Sequence, residues 1–462
     1  MKNLVYFLFL LFFISCSKTT NPAVTIPINT DTVPVVKTDS PFVQYGIPYS
    51  NMPDSRDVSI YQVNMRVFTP GTFQSVAARL DSIKALGINI IYLMPIYPVG
   101  QQNAFNSPYC VKDFNSVNTE FGTLDDLRNL VALVHQKNMG VILDWVANHT
   151  SWDNTWITNR SWYLQDANNN IVSPPGMGWS DVAQLNYTNA TMRLAMIKAM
   201  KTWVYKANID GFRCDYADGP PTDFWQQAID TLRNISTHKL LMLAESSNSN
   251  NFTAGFDYIF GFNFYGKLKT IFSSNVSVLS IDNLNTSEYS GASTNQQVVR
   301  YTSNHDVDGS DGTPLQLFGG RTGSMASFVV VAYMKSVPMV YTGQEVGTPI
   351  KLVFPFTTTK VDWSINPDIT AEYKKILAFR NSSLAIRQGQ LTSYSTADIC
   401  AFTKQQGTEQ VFVIANLRNS VISYNLPTAI AGTNWSDAFN GTPISLNTQV
   451  TMQPYSYLVM KK

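Results

Sequence analysis

A (β/α)8 barrel with a small excursion domain after its third strand and a C-terminal antiparallel β-sandwich is the fold this chain predicts. Three features carry that expectation. An apolar, strand-length run followed by an amphipathic helical pattern recurs eight times from Val58 onward. No Gly-rich dinucleotide or phosphate-binding fingerprint follows any of these runs, which disfavours an open doubly wound sheet. Beyond a last helix at about 368–386, the texture changes to short alternating runs such as ICAFTKQ, QVFVIANL, VISYNL and YSYLVM, broken by Gly, Asn and Pro.

Taken in order, Met1 and Lys2 lead into VYFLFLLFFIS, an apolar run too short to span a membrane, and then to Ser15 and Cys16. This reads as a signal peptide over 1–16. Cysteine after a small residue resembles the lipobox of bacterial lipoproteins, with Phe13 where leucine is usual. The resemblance implies a lipid anchor on Cys16 and an exported protein on a bacterial outer membrane, at its periplasmic or cell-surface face. Plain secretion is the alternative. Residues 17–42, rich in Thr, Pro, Val and Asn, read as a flexible tether. The barrel is assigned to 43–387, with strands expected at 58–67, 88–94, 140–146, 209–214, 239–244, 256–260, 297–302 and 337–342. Helical patterns at 73–87, 125–140 and 192–207 lie between them. The stretch of about 149–188 has no clear periodicity, is too long for an ordinary connection, and holds Trp152, Trp156, Trp162 and Trp179; it is the excursion domain. The sandwich is placed at 388–462. Cys110, Cys214 and Cys400 remain after Cys16, an odd number without paired spacing, so neither a disulfide framework nor a zinc site is expected.

Composition narrows the ligand. Charged residues are 14% of 462, well under the usual share of about a quarter, and net charge is +1 without a basic run. There is no electrostatic footprint for nucleic acid. A neutral, hydroxyl-rich ligand suits such a chain, and aromatic residues at 12% supply flat faces for sugar rings as well as core packing.

The chemistry gathers at strand ends. In GFRCDYADG, 211–219, Arg213 and Asp215 share one face of a strand while Phe212 and Cys214 share the other. A guanidinium beside a carboxylate lowers its pKa, which suits either a carboxylate nucleophile or a buried structural ion pair. DWVANH places Asp144, Asn148 and His149 after the third strand; LMLAES places Glu245 after the fifth; YTSNHD places Asn304, His305 and Asp306 after the seventh. All fall on the C-terminal rim, the catalytic face of this architecture. Adjacent strands lie about 4.8 Å apart. Carboxylates after the fourth and fifth should therefore sit near the roughly 5–5.5 Å of retaining glycosidases rather than the 6.5–9.5 Å of inverting ones.

These motifs together resemble the alpha-amylase family of glycoside hydrolases, family 13. They stand in the family's order, joined by SPYCVKDFNSVNTEFGT at 107–123 and PMVYTGQEVG at 338–347, and the likeness spans roughly 55–350. It implies cleavage of alpha-1,4-glucosidic bonds in starch-type glucans or maltooligosaccharides. Asp215 then corresponds to the nucleophile, Glu245 to the acid/base with a raised pKa, and Asp306 to the third carboxylate. Arg213 is the nucleophile's partner. His149 and His305 contact the sugar before the scissile bond, Tyr109 stacks beneath it, and Asp144, Asn148 and Asn304 support the site.

The chain departs from the family in two places. Where calcium-dependent members carry Lys and His after the nucleophile, it has Asp218 and Gly219, and where the excursion domain supplies an Asp, it has Gln184. Calcium therefore stands as a candidate cofactor only, with Asn148 and Asp181 as remaining ligands, and no metal site is assigned. The same departures leave open a neopullulanase, an alpha-glucosidase or a transglycosylase of the family. A non-catalytic glycan-binding lipoprotein is the rival from another class; retention of all three carboxylates speaks against it. The Gly-rich segment 306–323 reads as a loop, either mobile over the site or merely a long turn.

Overall fold

The computed structural model describes residues 42–462; the stretches expected to be a signal peptide with Cys16 and a tether lie, through residue 41, outside the described residues. Eight parallel strands close into a barrel: β1 (Ile60–Val63), β2 (Ile90–Leu93), β3 (Gly140–Val146), β6 (Gly211–Asp215), β7 (Leu241–Ala244), β8 (Tyr258–Phe260), β9 (Gln297–Tyr301) and β10 (Val337–Tyr341), with β10 pairing back to β1. Each lies within or against an expected run. The fourth is displaced toward its end, so Asp215 is the last residue of β6 rather than the first beyond it.

Local chemistry sets the helix ends. Thr123 accepts from the Asp126 N–H while the Asp126 carboxylate accepts from the Thr123 N–H, a reciprocal cap that starts the helix Leu124–Gln136. Leu127, Leu130, Val131 and Val134 then form its buried stripe. The helix Ala190–Ala207 is capped by Asn189 and ends at Asn208, which takes the left-handed conformation asparagine tolerates. The chain then enters β6 through Gly211 at φ +148°, where an added Cβ would lie 1.9 Å from the Leu241 carbonyl oxygen. Only glycine lets β6 pair with β7 there.

The excursion is pinned by an antiparallel ribbon of β4 (His149–Ser151) and β5 (Val182–Gln184), with His149 opposite Gln184. Three of its four tryptophans are structural. The Trp152 indole N–H donates to the Ser180 carbonyl, Trp162 to Thr191 Oγ1, and Trp156 packs edge-on to Trp162 and against Phe114. The segment 306–323 is not a loop: it forms the helical turns His305–Ser310 and Pro314–Leu317 and then enters the helix Gly320–Tyr333. The buried Asp308 carboxylate accepts from the Leu352 N–H, which ties the segment down.

The C-terminal part holds a six-stranded sheet, ordered β11 (Gln390–Ser393), β12 (Ile399–Gln406), β13 (Glu409–Asn416), β18 (Tyr457–Lys461), β15 (Asn434–Asp437) and β16 (Pro443–Ser445). A two-stranded sheet of β14 (Ile422–Asn425) and β17 (Gln449–Met452) covers one face. Strand alternation divides the residues: Ile399, Ala401, Phe412 and Ile414 join the sandwich core, whereas Cys400, Phe402, Val411 and Val413 join the barrel's core.

Gly211→Ala is expected to destabilise the protein by at least about 3 kcal/mol, because backbone strain and a backbone clash add at one position. A denaturant midpoint equal to that of the wild type would contradict the close approach of β6 and β7.

Candidate active site

The site is built around a guanidinium. Alternation along β6 sends Phe212 and Cys214 into the apolar core, and Arg213 and Asp215 to the barrel interior. Arg213, 1% exposed, donates from Nη1 to Asp144 Oδ1 at 2.6 Å and to Asp215 Oδ1 at 3.0 Å; its Nη2 pairs with Glu245 Oε1. Asp144 reaches it because β3 and β6 pair with Asp144 beside Arg213. The second Asp144 oxygen accepts from Tyr92 Oη at 2.6 Å and Tyr109 Oη at 2.9 Å. Tyr109 Oη lies 2.7 Å from His305 Nε2, and Gln62 Nε2 lies 2.8 Å from His305 Nδ1. One proton order satisfies the chain: Gln62 donates to His305, His305 to Tyr109, and Tyr109 to Asp144.

Glu245 follows β7, and its Oε2 accepts the Tyr216 backbone N–H at 2.7 Å. Tyr216 holds φ +40°, rare for a tyrosine, and this turns its N–H onto the carboxylate. Asn304 accepts from the N–H groups of Asp306 and Val307, starting a helical turn that carries Asp306. Asp215, Glu245, Asp306, His149, His305 and Tyr109 all line one open cavity of about 570 Å³.

The geometry revises several expectations. Arg213 was expected to hold Asp215 below the ordinary carboxylate range. Instead, burial and the Glu245 charge push the Asp215 carboxyl well above that range, with Asp144 and Asp306 adding to the rise and Arg213 opposing it. The same guanidinium also serves Asp144 and Glu245, so at Asp215 it does not offset burial and their charge. Burial drives both His149 and His305 down to about 4, so each imidazole is neutral at ordinary pH. Tyr109 is braced by stacking on His305, with ring centroids 5.3 Å apart. His305 has both ring nitrogens engaged by Gln62 and Tyr109, so in this structure it braces Tyr109.

The wall also includes Tyr216, Phe262, Phe105 and Phe354, which the motif reading gave no role, and Trp179, Asp181 and Asp218, which it named without placing them in the substrate site. Trp179 packs edge-on to His149 and to Tyr216. Gln62 and Tyr92 were also missed, although the signal was present: each is a polar-tipped residue in an apolar strand, and the two are register partners.

The model for the alpha-amylase catalytic domain matches residues 30–171. Alpha-amylase 3 of Dictyoglomus thermophilum is 23% identical over 481 residues, covering 89% of this chain and 94% of its own. Glucan 1,6-alpha-glucosidase of Streptococcus dysgalactiae subsp. equisimilis is 29% identical over 192 residues, 35% of either chain. Among solved structures, the noncanonic maltogenic alpha-amylase AmyB of Thermotoga neapolitana superimposes with a TM-score of 0.79 at 23% identity, covering 89% of this chain and 99% of its own. An alpha-amylase from Lactobacillus plantarum does so with 0.78 at 25%, covering 88% and 99%. Barrel, carboxylates and relatives together define a glycoside hydrolase. The chain resembles the alpha-amylase family, glycoside hydrolase family 13, in its barrel, its rim carboxylates and its relatives.

Some members of that family hold calcium where β3 meets the excursion, and the residues at this point do not fit a cation. The Gln184 amide occupies the position: Nε2 donates to the Asn148 carbonyl at 3.0 Å, to Asn148 Oδ1 at 3.2 Å and to the Leu185 carbonyl at 3.1 Å. Its Oε1 accepts from Asn148 Nδ2 at 3.2 Å. Oxygens that a hard cation would need are thus turned onto an N–H donor. Gly219 completes the fit, since a Cβ there would lie 2.2 Å from Asn148 Oδ1. No cluster of three His, Cys, Asp or Glu side chains placed to hold a metal occurs among the described residues.

Chelation followed by return of calcium is therefore expected to leave the melting temperature unchanged. A calcium-dependent rise of several degrees would overturn the amide's role.

Proposed function

We propose that the protein is a retaining glycoside hydrolase that cleaves alpha-1,4-glucosidic bonds in starch-type glucans or maltooligosaccharides. The observation that carries this reading is the grip of one buried guanidinium on Asp215 and Glu245 at the floor of an aromatic-walled cavity. Two carboxylates sharing one guanidinium suit the short separation of a double displacement.

In this mechanism Glu245, protonated in the substrate complex, gives its proton to the glycosidic oxygen as Asp215 Oδ attacks the anomeric carbon. The bond to the leaving sugar breaks and a glycosyl ester on Asp215 forms. Glu245, now ionised, removes a proton from water; the water oxygen displaces Asp215 from the anomeric carbon and restores both carboxyls. Asp306 binds sugar hydroxyls and favours the positively charged transition state. Neutral His149 and His305 suit such a site, because imidazolium groups would oppose the charge developing on the sugar. Local likeness to a glucan 1,6-alpha-glucosidase supports a second reading, in which alpha-1,6 bonds are cleaved. Product profiles on starch, pullulan and isomaltooligosaccharides separate the two, and adding acceptor sugars reveals transglycosylation. Cys16, outside the described residues, is proposed as a lipid anchor to a bacterial outer membrane; Cys16→Ser is expected to release the protein from membranes on fractionation.

Asp215→Asn is expected to lower kcat by at least about 10⁴-fold while glucan binding survives. Early products read by NMR should carry the alpha configuration; beta products would exclude the retaining mechanism. Because the Asp215 carboxyl is raised, kcat/KM should climb with pH to a plateau above the ordinary Asp range as Asp215 ionises. Asp306→Asn removes one neighbouring negative charge and should move that acid limb downward in its residual activity. A limb unmoved, or moved upward, would refute the charge coupling.

A further inference from the structure

The cations at the opposite end of the barrel lack counter-charge. On β12, Cys400, Phe402 and Lys404 share the barrel-facing side, and Lys404 is 3% exposed. Its Nζ donates to the Met334 carbonyl at 3.0 Å and the Ile386 carbonyl at 2.7 Å, which uses two of its three protons. Arg380 is fully buried nearby: Nη1 donates to Ser59 Oγ, Nη2 to the Arg56 carbonyl, and Nε has no partner. Lys335 lies over the Tyr289 ring at 4.0 Å and donates to the Asn285 carbonyl. Among the described residues, none of these three has a carboxylate within ion-pair distance. The acids in the neighbourhood are already engaged: Asp54 by Arg56, Asp57 by Arg387 and Gln388, and Glu288 by Arg300.

A cavity of about 290 Å³ opens beside them. Lys335, Lys404, Arg56 and Arg387 line it with Ser336 and Thr294, and its wall holds no Asp or Glu. Arg380 stands behind that wall, with Nη2 3.5 Å from the Ser336 carbonyl. Lys335 and Ser336 precede β10 and Gln297 opens β9, so the cavity lies at the N-terminal ends of the strands, away from the catalytic rim.

Burying cations without partners is strongly unfavourable unless a counter-ion arrives or a proton leaves. We infer that this cavity is an anion site, taking a small oxyanion of the phosphate class as counter-ion to Lys404, Lys335 and Arg380. Its Lys and Arg walls, neutral hydroxyls and lack of carboxylates match a compact, multiply charged acceptor. Burial and the charges of Arg380, Lys335 and Arg300 all press the Lys404 ammonium toward deprotonation, down to about 7.

The test is calorimetric titration of the full chain with inorganic phosphate at pH 7, with ionic strength held constant by sodium chloride, alongside thermal melting. Saturable one-site binding and a rise in melting temperature are expected. Glucose 6-phosphate is titrated in parallel: comparable affinity identifies the phosphoryl group as the recognised element, and weaker affinity identifies the free ion. Lys335→Gln, at the cavity wall, should weaken phosphate binding about tenfold, the scale of one charged hydrogen bond. Lys404→Met should abolish binding and melt higher than the wild type in phosphate-free buffer. If Lys404→Met fails to fold, Lys335→Gln decides. Absence of saturable binding to the wild type overturns the site. Equal phosphate affinity in wild type and Lys335→Gln overturns it as a general salt effect.

Discussion

A buried guanidinium cannot stand alone, and the catalytic end of this protein follows from satisfying one. Arg213 points into the barrel interior because it alternates with Phe212 and Cys214, and it is stable there only because Asp144, Asp215 and Glu245 converge on it. Those three residues come from neighbouring strands and their ends, so the ion cluster also cross-links the wall. Removing one partner of a buried pair typically costs about 3–5 kcal/mol, and here three carboxylates would be left facing one another. The network continues through Tyr92, Tyr109 and His305 to Gln62, which carries it across the barrel to β1. The groups proposed to be catalytic and the groups that set barrel geometry are therefore largely the same atoms.

The excursion is attached by different means. Hydrogen bonds between neutral amides, Gln184 with Asn148, join the ribbon to the end of β3, and Gly219 makes room for the Asn148 oxygen. The three positions are interdependent. A side chain at 219 would push Asn148 aside, and an acceptor at 184 would face three carbonyl oxygens with no donor among them. This joint holds the segment that presents Trp179 to His149 and Tyr216, so the shape of the cavity wall depends on amides rather than on a bound ion.

Much of this was legible in the chain because period and position carry physical meaning. Strand and helix runs were readable since buried parallel strands are continuously apolar while their helices are amphipathic. The carboxylates were readable because each ends a strand run on the rim. What failed was what depends on three-dimensional counting. The pair Arg213 and Asp215 looks like one cation lowering one acid; that Asp144 and Glu245 draw on the same guanidinium is a fact of strand register. Four tryptophans in the excursion look alike in sequence, yet only Trp179 lines the cavity, because the others spend their indole N–H groups or ring faces on the excursion itself. The glycines of 306–323 suggested a loop or long turn, but Asn304, and Gln316 accepting from the Thr313 N–H, start helical turns within it.

A net charge of +1 conceals how the charges are distributed. Asp181, Asp215, Asp218, Glu245 and Asp306 all line the cavity at the C-terminal ends of the strands, where Arg213, buried beneath, pairs with Asp215 and Glu245. Lys335, Arg380 and Lys404 lie at the other end, where the sheet of the C-terminal part covers the barrel. Within that sheet β12 is buried on both faces from Ile399 to Lys404, so alternation, which elsewhere places charge toward solvent, has no exposed side to offer at Lys404. The fold thus meets one problem, buried charge, twice. At the rim end, burial and the neighbouring carboxylates push the Asp215 carboxyl well above the ordinary Asp range. At the opposite end, excess cations press a lysine toward losing its proton. The first imbalance supplies chemistry, and the second is the same physics with the sign reversed, which is why it points to an anionic ligand.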